Sequence, residues 1–253
     1  MRQNIQTLQS FLTKYKQFTQ DVGPQLWKED ERRYRSLFER FSASRIEALK
    51  ADREEATNYN VFSILKVHRK EVTTHSPFIA NLLNPTGSHS HGSLFYNSFL
   101  KQVLKKEEST ITNINPLHLR VRNEWHTSNF GRMDIFVQHH SHVNPFAWVI
   151  ENKIGASDQE DQLENYYEYL SKEKKLPLKS IKLFYLTPYG DDPSPYSIDI
   201  RLLTELKKSS VFKNISYKTD IVKWLESTLL SIQSPSVLYV IKQYLKTIKD
   251  YCL

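Results

Sequence analysis

A chain of 253 residues, 39% hydrophobic and 12% aromatic, carries enough apolar side chains for a sizeable core in one large domain or one domain with an extension. A formal charge of +7 points to an anionic partner, with nucleic acid ahead of an anionic membrane surface. The single cysteine, Cys252, excludes an intramolecular disulfide; with no transmembrane-length apolar run and no signal-peptide core, the expectation is a cytoplasmic protein with no membrane partner.

The first sixty or so residues read as helices. Leu8, Phe11, Leu12 and Tyr15 recur at i, i+3, i+4 and i+7, as do Tyr34, Leu37, Phe38 and Phe41, with Gly23-Pro24 as the break between them. The stretch from Lys28 to Arg35, with Arg32 and Arg33, is heavily charged and reads as a solvated face. Residues 1–58 are therefore expected to form an N-terminal helical extension whose stripes offer a surface to a protein partner, and residues 59–253 the main domain. From Asn60 to Leu83 the pattern stays helical, with Ser76-Pro77 as N-cap and first turn of a helix that stops at Asn84-Pro85. His75, His89 and His91, like His139, His140 and His142, lie where solvated loop histidines or phosphate contacts are simpler than a zinc site. Leu94 to Leu104 describes another helix, ended by Lys105-Lys106-Glu107-Glu108, and Asn113 to Pro116 a turn. Leu117 to Trp125 alternates as a half-exposed strand that puts Glu124 on its exposed face.

Two apolar runs follow, Gly131–Val137 and Ala147–Ile154, separated by the polar stretch His139–Pro145, and they read as paired strands. Asp134, Glu151 and Lys153 interrupt them. Period two puts Glu151 and Lys153 on one face, where Asp134 can meet them from the adjacent strand. Such charges are costly to bury unless they pair or hold a metal, so two readings stand: a buried Lys153 ion pair, or two carboxylates suited to Mg²⁺ with an ammonium beside them. Ser157 or Asp158 can cap the next helix, on which Gln162 and Tyr166 share a face. Ile181 to Leu186 is a buried strand, and strand, helix, strand implies a parallel crossover. Combined with the preceding hairpin, this predicts an α/β fold with a mixed central β-sheet flanked by helices. Asp191 and Asp192 read as turn formers, residues 198–212 are ambiguous, and two helices close the chain, the last from Ser234-Pro235 with Lys242, Lys246 and Lys249 as a basic stripe.

Asp134, then Glu151-Asn152-Lys153, resembles the Asp…(Asp/Glu)-x-Lys signature of the PD-(D/E)xK nuclease superfamily, and Gln162-x-x-x-Tyr166 is similar to the Gln-x-x-x-Tyr element of its RecB-type members. Glu71…His75-Ser76-Pro77-Phe78…Leu82-Leu83-Asn84-Pro85, followed by His91-Gly92, is similar to the N-terminal part of one mainly bacterial branch. Arg132-Met133 stand where the motif's proline would precede Asp134. The resemblance, over about residues 60–230, implies a restriction-endonuclease-like core and a Mg²⁺-dependent deoxyribonuclease, with Mn²⁺ able to substitute. In that reading Asp134, Glu151 and the Asn152 carbonyl bind the metal, Glu71 holds or positions a second ion, Lys153 orients or helps deprotonate the attacking water, and Gln162 and Tyr166 steady the site or touch substrate phosphate. It further implies a DNA-binding endonuclease of antiviral defence, acting as a homodimer because cutting both strands takes two sites. The alternative is a nuclease-like module that binds nucleic acid or a partner without cutting.

Overall fold

The computed structural model describes residues 2–21, 23–56, 59–106, 115–141 and 144–252, so the readings at Glu107, Glu108, Asn113 and His142 lie outside the described residues. The chain divides into two compact units, residues 1–59 and 60–253.

The first unit holds helices α1 (Arg2–Asp21) and α2 (Gly23–Glu55). The Gly23-Pro24 break falls at the start of α2, where a proline lacking an N–H is tolerated. Their apolar stripes are exposed, from Leu8 and Phe11 to Phe41 and Leu49.

The second unit is built on a five-stranded sheet in the order β1 (Leu119–His126), β2 (Arg132–His139), β3 (Phe146–Asn152), β4 (Ile181–Thr187) and β5 (Phe212–Ser216). β1, β2 and β3 pair antiparallel, while β3, β4 and β5 pair parallel, so the sheet is mixed, as the hairpin and crossover require. The β1–β2 turn depends on Gly131, whose φ of +83° is open to glycine at little cost, and whose carbonyl accepts from Thr127 N at 3.0 Å and Thr127 Oγ1 at 2.7 Å.

Both sheet faces are covered. On one lie α3 (Val61–Ile64), α4 (Ser76–Leu83), α5 (Leu94–Gln102), α8 (Val222–Glu226) and α9 (Pro235–Tyr251), whose Phe62, Leu83, Phe99, Trp224 and Tyr244 pack with Ile135, Val137 and Ile150 of the strands. On the other, α6 (Gln162–Glu168) and α7 (Ile200–Lys208) bring Leu163, Tyr166 and Leu203 against Phe136, Val149 and Leu183. The alternating sides of β3 feed both cores, which is why its sequence is apolar almost throughout.

Several local expectations are corrected. The stretch from Asn60 to Leu83 is not one helix pattern: α3 ends after one turn, and a π-helical turn over Glu71–His75 leads into α4. Ser76 makes no cap because the chain is already helical at His75; its hydroxyl accepts instead from Asn152 Nδ2 at 3.1 Å. Neither Ser157 nor Asp158 caps α6, which starts at Gln162 after Asp161 at φ +50°. Asp158 accepts from Tyr185 OH at 2.8 Å and from Ser194 N at 2.7 Å. The ambiguous residues 198–212 hold α7, capped by Asp199, and the start of β5. His75, His89 and His139 are buried rather than solvated: His75 bonds Tyr244 OH and His68 O at 2.9 Å each, His89 Nε2 bonds Asn84 O at 3.0 Å, and His139, the last residue of β2, bonds Asn144 O at 3.1 Å.

Candidate active site

Asp134 on β2 and Glu151 on β3 are 7% and 1% exposed, with Lys153 just beyond β3 at 8%. The strand period delivers Glu151 and Lys153 to one side, and Lys153 Nζ stands 3.0 Å from Glu151 Oε1. The ammonium also donates to Ser157 O at 3.3 Å, which bends it toward the turn after β3. Asp134 reaches the same place by accepting the Asn152 backbone N–H at 2.9 Å, beyond the last paired residues of β2 and β3.

α6 supplies the other wall. Gln162 Nε2 donates to Glu151 Oε1 at 2.9 Å, and the one proton of Tyr166 OH lies between two acceptors, Arg132 O at 2.5 Å and Glu151 Oε2 at 3.2 Å. Gln162 and Tyr166 are linked to each other at 3.0 Å, as their four-residue spacing permits. Gln162 Oε1 is buried with no hydrogen-bond partner, an open acceptor on the amide that holds Glu151.

Glu71 enters from the π-helical turn. Its Oε1 gathers the backbone N–H groups of Ile154, Gly155 (2.6 Å) and Ala156 (3.0 Å), so it fixes the turn that follows Lys153. Its charge is near enough to raise the Asp134 pKa. Asn152 points to the opposite side, donating to Ser76 Oγ and accepting from Tyr217 OH at 2.9 Å. Its side chain therefore ties β3 to α4 and to the stretch after β5, and only its main chain lies toward Asp134.

Electrostatics follow from burial. Desolvation pushes Asp134 up to about 6, offset by the Asn152 N–H and by Lys153 and raised further by Glu71. Desolvation likewise lifts Glu151 to about 8, ionised Asp134 adding to the rise and Lys153 opposing it. Two carboxylates and one ammonium thus share a dry spot that one cation does not fully compensate. Such a group can hold a divalent cation, or share protons when none is bound.

Glu124 stands opposite Asp134 in a β1–β2 register that is the same on both sides of it, but the two are not paired and its φ is +53°, so the ladder is interrupted at that level. Its Oε1 is buried and unpartnered, and its Oε2 is 3.4 Å from Arg132 Nη1. Asp191 and Asp192 belong to the turn after β4; Asp192 is paired with Lys207, whose hydrogen bond holds its carboxyl below the usual range. Among the described residues, no three His, Cys, Asp or Glu side chains are gathered as a ready-made metal cluster, and no helix is long and apolar enough to cross a membrane.

The partners of Glu151 on α6 are legible in the Gln162 and Tyr166 spacing. The roles of Asn152 and Asp158 are not, since both depend on residues far along the chain; the period-two pattern alone would have turned Asn152 away from the acids.

A family model described as PD-(D/E)XK nuclease superfamily matches residues 59–251, which include every residue of this site. No curated protein and no solved structure gives a match.

Proposed function

We propose, on the premise that this chain belongs to the PD-(D/E)XK nuclease superfamily, that it hydrolyses phosphodiester bonds in DNA with Mg²⁺, for which Mn²⁺ can substitute. The observation that carries the reading is the buried meeting of Asp134, Glu151 and Lys153, three charges at the seam of β2 and β3. The donor set fits a hard divalent cation: burial holds both carboxylates above their usual pKa, their mutual and neighbouring negative charge adds to the rise, and Gln162 Oε1 remains open. Asp134, Glu151 and the main-chain carbonyl of Asn152 would hold the ion, with Glu71 holding or positioning a second. A bound divalent cation acidifies coordinated water and withdraws charge from the phosphate.

The protein's own groups do the rest. Lys153, anchored between Glu151 and Ser157 O, presents an ammonium that orients the attacking water and offsets charge growing on the phosphate. Gln162 and Tyr166 are positioning residues that fix both oxygens of Glu151. The net charge of +7 favours a polyanionic substrate. Foreign DNA in bacterial defence is the biological setting of this reading.

The test is cleavage of supercoiled plasmid in Mg²⁺, Mn²⁺ or EDTA by wild type, Asp134→Ala and Lys153→Ala. Cutting should require the ion and disappear in both folded variants; cutting that survives EDTA, or runs at the wild-type rate in either variant, refutes the assignment. One observation favours the second reading, a module that binds without cutting: both oxygens of Glu151 already have partners within the protein. Calorimetric Mn²⁺ titration separates the two, since a silent module shows no heat that depends on Asp134.

A further inference from the structure

The stripe on α2 extends beyond a simple heptad. At about 100° per residue, Leu26, Trp27, Asp30, Tyr34, Leu37, Phe38, Phe41, Arg45, Ala48 and Leu49 fall within an arc of about 140°. The large apolar members are between 49% (Leu26) and 77% (Trp27) exposed, so nothing in the first unit covers them. Together they present on the order of 900 Å² of apolar surface, against the roughly 800 Å² per partner of a specific stable interface. A helix of 33 residues with such a face is more than a soluble helix needs.

The order of residues along the stripe says what covers it. Let α2 meet an antiparallel copy of itself across a two-fold axis placed between Leu37 and Phe38. Tyr34 then faces Phe41 of the second copy and Trp27 faces Ala48, while Leu37 stands level with Phe38 and Leu26 with Leu49. Of the charges within this arc, Asp30 faces Arg45 of the second copy and Arg45 faces its Asp30, while Glu31 at one edge of the stripe stands level with Ser44. Between Leu26 and Leu49 most levels of the stripe are apolar, no level sets like charges against each other, and the Asp30–Arg45 level sets opposite ones together. A parallel pair would instead set Asp30 against Asp30 and Arg45 against Arg45.

We propose that α2 is the self-association surface of this protein, an antiparallel isologous helix pair centred between Leu37 and Phe38 and pinned by two Asp30–Arg45 contacts. The inference is independent of the cleavage reading, since it uses no residue of the Asp134 site. α1 does not account for the stripe: its 20 residues span about 30 Å against about 50 Å for α2, and it carries a stripe of its own. Two-fold symmetry closes the contact at two copies.

The experiment is sedimentation equilibrium of the full chain, wild type against Asp30→Arg, Arg45→Asp and the double variant, with circular dichroism to check that helix content is kept. Wild type should be a dimer at micromolar concentration. Each single change sets like charges face to face and should weaken the dimer about tenfold or more. The double variant should recover the wild-type constant, as should an equimolar mixture of the two single variants. A monomeric wild type overturns the proposal. So do single variants that associate like wild type, as a parallel pair or a bundle covered by α1 would predict, and a double variant that stays weak.

Discussion

At Asp134 the sign of the pKa shift separates stability from function. Burial raises this carboxyl from 3.8 to about 6, so folding favours its protonated form. A group shifted in this direction adds stability below its unfolded pKa, and that contribution is lost as pH rises through about 6. Near pH 8 the ionised side chain therefore weighs against the fold by about 3 kcal/mol when no cation is bound. Asp134→Asn removes the charge while its Oδ1 can still accept the Asn152 N–H. The variant should be more stable than wild type in urea at pH 8 with EDTA, by about 3 kcal/mol, with the gain shrinking toward pH 4, and it should not cut DNA. Equal stability at pH 8 would mean that the carboxylate is compensated without a metal. Asp134, Glu151 and Lys153 were readable in the sequence because a charge inside an apolar strand stands out and the strand period sets its face. Glu124, expected on an exposed face, is half-buried for the complementary reason: an interruption of the ladder at a positive φ, visible only in the backbone, lies at that residue.

Elements place these residues through contacts that the sequence does not announce. Glu71 was legible as an acid at a helix entry, but its hold on the three N–H groups of residues 154–156 joins segments some eighty residues apart. One carboxylate oxygen thereby stiffens the turn that carries Lys153 away from β3. Glu71→Ala leaves those donors without their charged acceptor, which should destabilise the fold by about 2 kcal/mol. Amide exchange at Ile154, Gly155 and Ala156 should accelerate while the middle of β3 keeps its protection. Uniform exchange across the sheet would show that Glu71 acts on global stability and not through the turn. The same reasoning explains why Ser76 looked like a cap: Ser-Pro before an apolar run is a sound local signal, overridden here because the π-helical turn already supplies the helix and Asn152 takes the hydroxyl.

For the whole molecule, the mixed sheet followed from two short-range facts, a hairpin spacing and a crossover length. β5 was lost because Phe212–Ser216 is a brief strand behind a charged amphipathic helix, and its pairing with β4 is set by tertiary contact. The division near residue 59 gains a physical reason at Asn60, which is 2% exposed and donates to Gln243 O and Thr247 Oγ1 at 3.0 Å each. The chain is clamped to α9 at that point, and the two cores of the second unit use no residue before Phe62 other than partly buried Val61. A chain beginning at Tyr59 should therefore unfold in one cooperative transition with a midpoint within a few degrees of the full chain's. The same truncation removes α2, so it should sediment as a monomer at concentrations where the full chain is a dimer. If cleavage of both strands takes two sites held together, the truncated protein should convert supercoiled plasmid mainly to nicked circles, while the full chain yields linear product early. Linear product at equal rates from both proteins would uncouple the helix pair from cutting, and loss of the cooperative transition would show that the first unit completes the fold of the second.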